Sequence, residues 1–202
     1  MNTTLHTGRR VATSIAYNAV GQGLPLLVGL LAFPQIVRGL GTEGFGAFQL
    51  AWVVLGTLTL LDLGLPRAVG RFAAGMLATE RTGPLPGMLG AALRLQLMLG
   101  VAAGVALTLA APRLVTSVFA VPAALESEMV WAIRLVAMAL PAVLASGVLS
   151  GVLQAAQRFD LVSLIHGSMT AASYALPLLV LAVGGGLVEV VATFVATRLA
   201  AP

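Results

Sequence analysis

Apolar residues in this chain run in long blocks, with none of the every-other-residue alternation of a half-buried strand. Six blocks stand out, at 11–37, 45–77, 86–111, 129–156, 161–183 and 187–202. A membrane-spanning helix needs about 20 predominantly apolar residues. Without dyad alternation a membrane β-barrel is excluded, and helices remain, because they satisfy their own backbone polar groups in hydrocarbon. The predicted fold is therefore all-α, a polytopic bundle of about six transmembrane helices. The connections are short: "RGLGTEGFG", "TERTGPLPG", "QRFD" and "GGG". Such turns predict antiparallel neighbours. The sixth block is still apolar at Pro202, so the chain is expected to be cut off barely one span into it.

Composition agrees with the pattern. Hydrophobic residues make up 59% of the chain and charged residues 9%, against about 25% charged in ordinary globular domains. So few charges cannot cover a soluble surface. All eleven basic residues are arginine, and with abundant Ala, Gly and Leu this suits a GC-rich bacterial genome. Their placement sets an orientation. With the N-terminus cytoplasmic, Arg9, Arg10, Arg67, Arg71, Arg81, Arg158 and Arg198 lie inside, and Arg38 and Arg113 outside, as the positive-inside rule favours. Arg9 and Arg10 precede an apolar run too long for a signal peptide, so that run reads as a retained first helix. No basic patch has interleaved aromatics, which argues against nucleic-acid binding. The chain has no cysteine, which excludes disulfides and thiolate metal sites. P-loop, HExxH and GxSxG motifs are absent. Two histidines, His6 and His166, are too few for a His-based metal centre. Neither an enzyme nor a resident cofactor is expected.

Three blocks carry a polar or small stripe at helical spacing. They are Ser14, Asn18, Gln22, Pro25 and Gly29; Gln49, Trp52, Gly56, Thr59 and Asp62; and Ser163, His166, Thr170, Ser173 and Pro177. Lipid-facing surfaces do not look like this. Two readings stay open: helix–helix glue or the wall of a hydrated cavity. Gly100–Gly104 and Gly147–Gly151 are GxxxG pairs and read as close-packing points. Arg94 stands about 12 Å deep in the third block on ideal helix rise. Arg134 enters the fourth block from the opposite side. Each either snorkels to the headgroups or offers a guanidinium fork to an anion in a water-filled cavity. In "LLDLGLPRAVGRFAAG", Leu60–Gly75, Gly64 and Pro66 allow a kink or unwinding. Asp62 faces inward on its stripe, and Arg67 and Arg71 follow one turn apart near the cytoplasmic rim. This is either an ion pair at a helix end or a hinge whose arginines meet a phosphorylated lipid head. Glu189 opens the sixth block, where an acid suits a helix N-terminus.

"PQIVRGLGTEGFGAFQLAW", "LLDLGLPRAVGRFAAG" and "SGVLQAAQRFD" together resemble the N-terminal half of bacterial polysaccharide flippases. These form the O-antigen-flippase-like branch of the multidrug/oligosaccharidyl-lipid/polysaccharide exporter superfamily. The resemblance rests on Arg38, Leu40, Gly41, Gly44 and Gly46; on Asp62, Leu63, Gly64 and Arg71; and on Gly151, Gln154, Arg158 and Phe159. It covers about residues 9–200. It implies two lobes of helices around a central cavity, moving undecaprenyl-diphosphate-linked oligosaccharide across the bacterial cytoplasmic membrane by alternating access. Residues 1–202 then form one transmembrane lobe of six helices, whose partner is a missing second lobe or a second chain. The expected substrate groups are Arg94, Arg67, Arg71, Arg134, Asn18 and Gln22, with Asp62, Gly64 and Pro66 as a coupling or hinge element. Two other readings remain. A drug or metabolite exporter of the same superfamily would favour acids in its cavity, and here the intramembrane charges are mainly arginine. A non-transporting membrane subunit would use its stripes only for packing.

Overall fold

The computed structural model describes residues 3–80 and 83–199, with side chains described at 27–80, 83–158 and 161–199. Among the described residues the chain is all-α, with no strand. The helices are α1 (Thr3–Leu58), α2 (Leu65–Ala78), α3 (Leu85–Arg113), α4 (Glu126–Ala155), α5 (Phe159–Ala182) and α6 (Leu187–Leu199). A 3₁₀ turn (Thr59–Asp62) separates α1 from α2, and a π-helical turn (Leu114–Val118) extends α3.

α1 is two helices meeting at Gly41, whose φ of 70° and ψ of 173° lie outside the helical region. Phe33 and Trp52 both pack on Tyr174, at ring-centroid distances of 6.0 and 5.8 Å. Nineteen residues of straight helix would hold them about 28 Å apart, so the chain doubles back at this glycine. Four glycines in the stretch suggested a loop. Instead, one left-handed glycine ends a helix and lets the next begin.

By length and composition, four segments are long and apolar enough to cross a membrane: Leu27–Asp62, Leu85–Val118, Glu126–Ala155 and Leu161–Ala182. The first contains the Gly41 reversal. α2, with 14 residues, is too short by itself, and α6 is described over 13 residues, Leu187–Leu199. α2 prolongs the helix that began after Gly41. Leucine, valine and methionine side chains such as Leu30, Leu63, Met98, Leu109 and Met138 point outward, as a lipid-facing surface requires. The chain is a multi-pass membrane protein.

α4 is the hub and touches each of the other five helices. α3 lies antiparallel to it: Gly100 abuts Pro141 and Gly104 abuts Ala137. A Cβ built on Gly104 would lie 2.6 Å from the Ala137 carbonyl oxygen. Near the other end of α4, Pro66 lies against Gly147 and Gly151, and Gly70 against the Gly151 backbone. Both GxxxG pairs are therefore points of backbone approach, which is how helices associate where lipid removes the hydrophobic drive. The larger core gathers Phe48, Leu55, Val115, Met129, Leu140 and Phe194 around α4. Substituting Gly104→Val should push α3 off α4 and destabilise the bundle by about 2 kcal/mol or more, as overpacking does. Thermal unfolding in detergent checks this; an unchanged midpoint would show that α3 does not depend on the close approach.

Candidate functional site

The second span is interrupted. After the 3₁₀ turn, Leu63 and Gly64 both adopt left-handed conformations, with φ of 53° and 72°. For leucine this region is costly. Three features hold it. The Gly64 N–H donates to Asp62 Oδ1 at 2.7 Å, an Asx turn. Pro66 occupies the first turn of α2, where its missing N–H leaves no gap. Gln96 on α3 is fully buried, and its Nε2 donates to the Asp62 carbonyl at 3.0 Å. This bond holds α3 beside the break. The Asp62 carboxylate serves the turn. Among the described residues it forms no ion pair with Arg67 or Arg71.

The expected arginines take different positions. Ala92 clusters with Val69 and Gln96 reaches Asp62. Arg94 therefore stands level with the first turn of α2, where Arg67 lies. Arg67, Arg71 and Arg94 are all exposed. The Nε of Arg94 donates to the Gly90 carbonyl at 3.1 Å. This folds the side chain one turn back toward the Leu85 end of α3, the snorkelling geometry. Arg134 is half-buried; its guanidinium lies 5.2 Å from the Trp131 ring centroid and its Nε is enclosed without a partner. Asn18 and Gln22 fall where α1 side chains lie outside the described residues.

Gly29, Trp52 and Ser173, one described member of each stripe, lie around Tyr174 and α6. Gly29 faces the Tyr174 ring, 3.5 Å from a Cβ built on it. Trp52 stacks on Tyr174 at 5.8 Å and on Phe194 at 4.5 Å. Ser173 and Thr197 share a buried hydrogen bond of 3.0 Å between α5 and α6. Several other hydroxyls serve their own helix: Thr57, Thr59 and Thr170 donate to carbonyls three or four residues back. These are satisfied locally, as hydroxyls in apolar helices commonly are. His166 is exposed. At the start of α6 the Gly186 N–H donates to Glu189 Oε2 at 3.0 Å, a capping role.

Two residues at these junctions were not singled out from the sequence. Gln96 extends the Gly100–Gly104 face by one turn, and that spacing was the available signal. Arg198 was counted with the cytoplasmic arginines. The structure places it eleven residues into α6, about 16 Å from the Leu187 end on ideal rise. Its guanidinium lies 5.3 Å from the Phe194 ring and 5.9 Å from Trp52. Stacking of a guanidinium on aromatic faces contributes about 0.5–2 kcal/mol. The arrangement can receive an anion: cations occur at several depths, while Asp62 and Glu189 already serve backbone N–H groups.

The sequence matches the family described as polysaccharide biosynthesis protein over residues 11–201. The chain belongs to this family. It is also similar to the "Putative O-antigen transporter" of Shigella flexneri, with 36% identity over 55 residues. That match covers 27% of this chain and 13% of that protein. No solved structure matches. For this member of the polysaccharide biosynthesis protein family, the break in the second span is the most specific local geometry. Replacing Gln96 by Leu removes the donor to the Asp62 carbonyl and should cost about 1–3 kcal/mol, the penalty of an unsatisfied buried polar group. Amide hydrogen exchange at Leu63–Leu65 should quicken as well. Protection equal to the parent at those amides would mean that Gln96 does not hold the break.

Proposed function

We propose that this chain is one lobe of a two-lobed transporter that passes diphosphate-linked lipid oligosaccharide across the bacterial cytoplasmic membrane by alternating access. The other lobe comes from further sequence or from a second chain. The reading is carried by the interrupted second span with exposed arginines at its level, found in a chain of the polysaccharide biosynthesis protein family. A left-handed pair inside an apolar run, gripped by an Asx turn and one side-chain hydrogen bond, is a bending point that needs few bonds to be remade. Transporters use broken helices for such motion.

Arg67, Arg71 and Arg94 form the entry group. Guanidinium forks match phosphate oxygens in pairs, and exposed side chains on the inner half can meet a diphosphate at headgroup level. Arg134, eight residues into α4 from its opposite end, serves the exit side. Asn18 and Gln22 are kept as candidates for sugar hydroxyls on the sequence alone. Asp62, Gly64 and Pro66 form the hinge. A cationic-drug exporter would need unengaged carboxylates at these depths, and Asp62 is held in its turn.

The N-terminus is placed in the cytoplasm, which puts Thr42 outside and Thr79 inside. Cysteine at each position, probed in intact cells with an impermeant thiol reagent, should label at 42 only; labelling at 79 only would invert the orientation. Transport itself is tested at Arg94 in the complete two-lobed protein, by surface polysaccharide at matched protein levels. Arg94→Ala should lower export at least about tenfold, the scale of one lost charge-assisted contact. Arg94→Lys should restore part of it, since an ammonium keeps the charge and loses the fork. Normal export by the alanine variant would make Arg94 a snorkelling residue only.

A further inference from the structure

Pro66 stands four residues after Asp62. In an α-helix each N–H donates to the carbonyl four residues back. Proline has no N–H, so the Asp62 carbonyl lacks a ladder donor whether the span is broken or continuous. Its donor comes from α3 instead: Gln96 Nε2 reaches it at 3.0 Å. Gln96 is fully buried and its Oε1 is enclosed, so the side chain is held in place.

Two residues separate the break from a continuous helix. The 3₁₀ turn covers Thr59–Asp62 and α2 begins at Leu65, which leaves Leu63 and Gly64, both left-handed. In the broken form the Gly64 N–H donates to Asp62 Oδ1. The Leu63 N–H donates to the Leu60 carbonyl at 3.4 Å, and the Ala68 N–H to the Gly64 carbonyl at 3.1 Å. The Leu65 and Arg67 N–H groups have no backbone acceptor among the described residues. Turning Leu63 and Gly64 right-handed would give them ladder partners, the Leu61 and Leu63 carbonyls. It would also lift a leucine out of a costly region. Against this stand the Asx turn and the packing of Pro66 and Gly70 on the Gly147–Gly151 face of α4. Each form has bonds that the other lacks, while the Gln96–Asp62 bond suits both.

We propose that Gln96 is a positioning residue that stands in for the missing proline N–H. Its bond to Asp62 is the pivot about which the second span passes between a broken and a continuous form. α2 lifts from α4 as the span straightens and settles on Gly147 and Gly151 as it breaks. The pivot follows from the hydrogen bonding; its use in moving substrate rests on the transport reading above.

The chain has no cysteine, so spin labels can be placed on cysteines at two exposed positions, Val53 and Ala78, in the chain reconstituted in lipid nanodiscs. A continuous helix holds these positions about 38 Å apart, and pulsed electron–electron resonance measures the fraction of molecules at that separation. Gly64→Ala should raise the fraction at least about fivefold, because a left-handed alanine is costly. Adding Leu63→Gly should return it toward the parent, and Leu63 is 74% exposed, so that change disturbs no packing. Gln96→Leu should lower the thermal midpoint and leave the fraction unchanged, since both forms lose the same bond. Pro66→Ala restores a backbone donor to the Asp62 carbonyl in the continuous form alone. In that background Gln96→Leu should raise the fraction and lower the midpoint less than it does in the parent. If Gln96→Leu fails to fold in the parent, its recovery with Pro66→Ala decides the pivot. An unchanged fraction in Gly64→Ala overturns the proposal. So does a shifted fraction in Gln96→Leu alone, or an equal loss of midpoint with and without Pro66→Ala. If the fractions stay fixed while the complete protein exports, the pivot falls and the transporter stands. If they move as expected and Gly64→Ala leaves export unchanged, the pivot stands and its use in transport falls.

Discussion

A helix that stops within a packed bundle leaves carbonyls without donors, and α1 of this protein stops at Leu58, just before the break. Much of the arrangement follows from meeting that need. The Asp62 carbonyl takes its donor from Gln96, so α3 must pass beside the break. For α3 to stay there it must pack on α4, and Gly100 and Gly104 let the two backbones close. Beyond the break, Pro66 fits the Gly147–Gly151 face of α4, which fixes where α2 restarts. One buried polar group left unsatisfied costs about 1–3 kcal/mol. The hydrogen bond, the glycine faces and the proline thus form one dependent set.

That set also explains why α4 is the hub. Lipid tails are as apolar as leucine, so burying leucine between helices gains little, and close van der Waals contact decides association. α4 presents small residues to two neighbours at different depths: Ala137 to α3, and Gly147 and Gly151 to α2. Its large side chains, such as Met129, Ile133 and Leu140, fill the core shared with α1 and α6.

The class of fold was legible because hydropathy in long blocks admits only helices in a membrane. The GxxxG pairs were legible from spacing alone, and the break was legible because Gly64 and Pro66 punctuate an apolar run. What could not be read was partnership across the chain. Gln96 lies 34 residues from Asp62, and no local pattern says which carbonyl it serves. The Gly41 corner looked like a loop because composition marks turns without saying how many residues leave the helix. Nor does any local pattern say that Arg198 lies over the Phe194 and Trp52 rings. For the expected arginines, the sequence gives their positions along the helices and nothing of their surroundings. Which arginines are exposed and which are pinned on rings depends on neighbours from other helices.

That division has a mechanical consequence for the transport reading. Arg67, Arg71 and Arg94 are exposed on flexible stems and can follow an anion over several ångströms. Arg134 and Arg198 lie on aromatic rings with an enclosed Nε, and they cannot swing without giving up that stacking. A fixed cation stabilises an anion only where it already stands. On the transport reading, passing an anion from the mobile group to Arg134 would take more than side-chain motion: the first turn of α2, which carries Arg67, would shift against α4. Leu63 and Gly64 are where such a shift would cost least, because their backbone is already out of the helix.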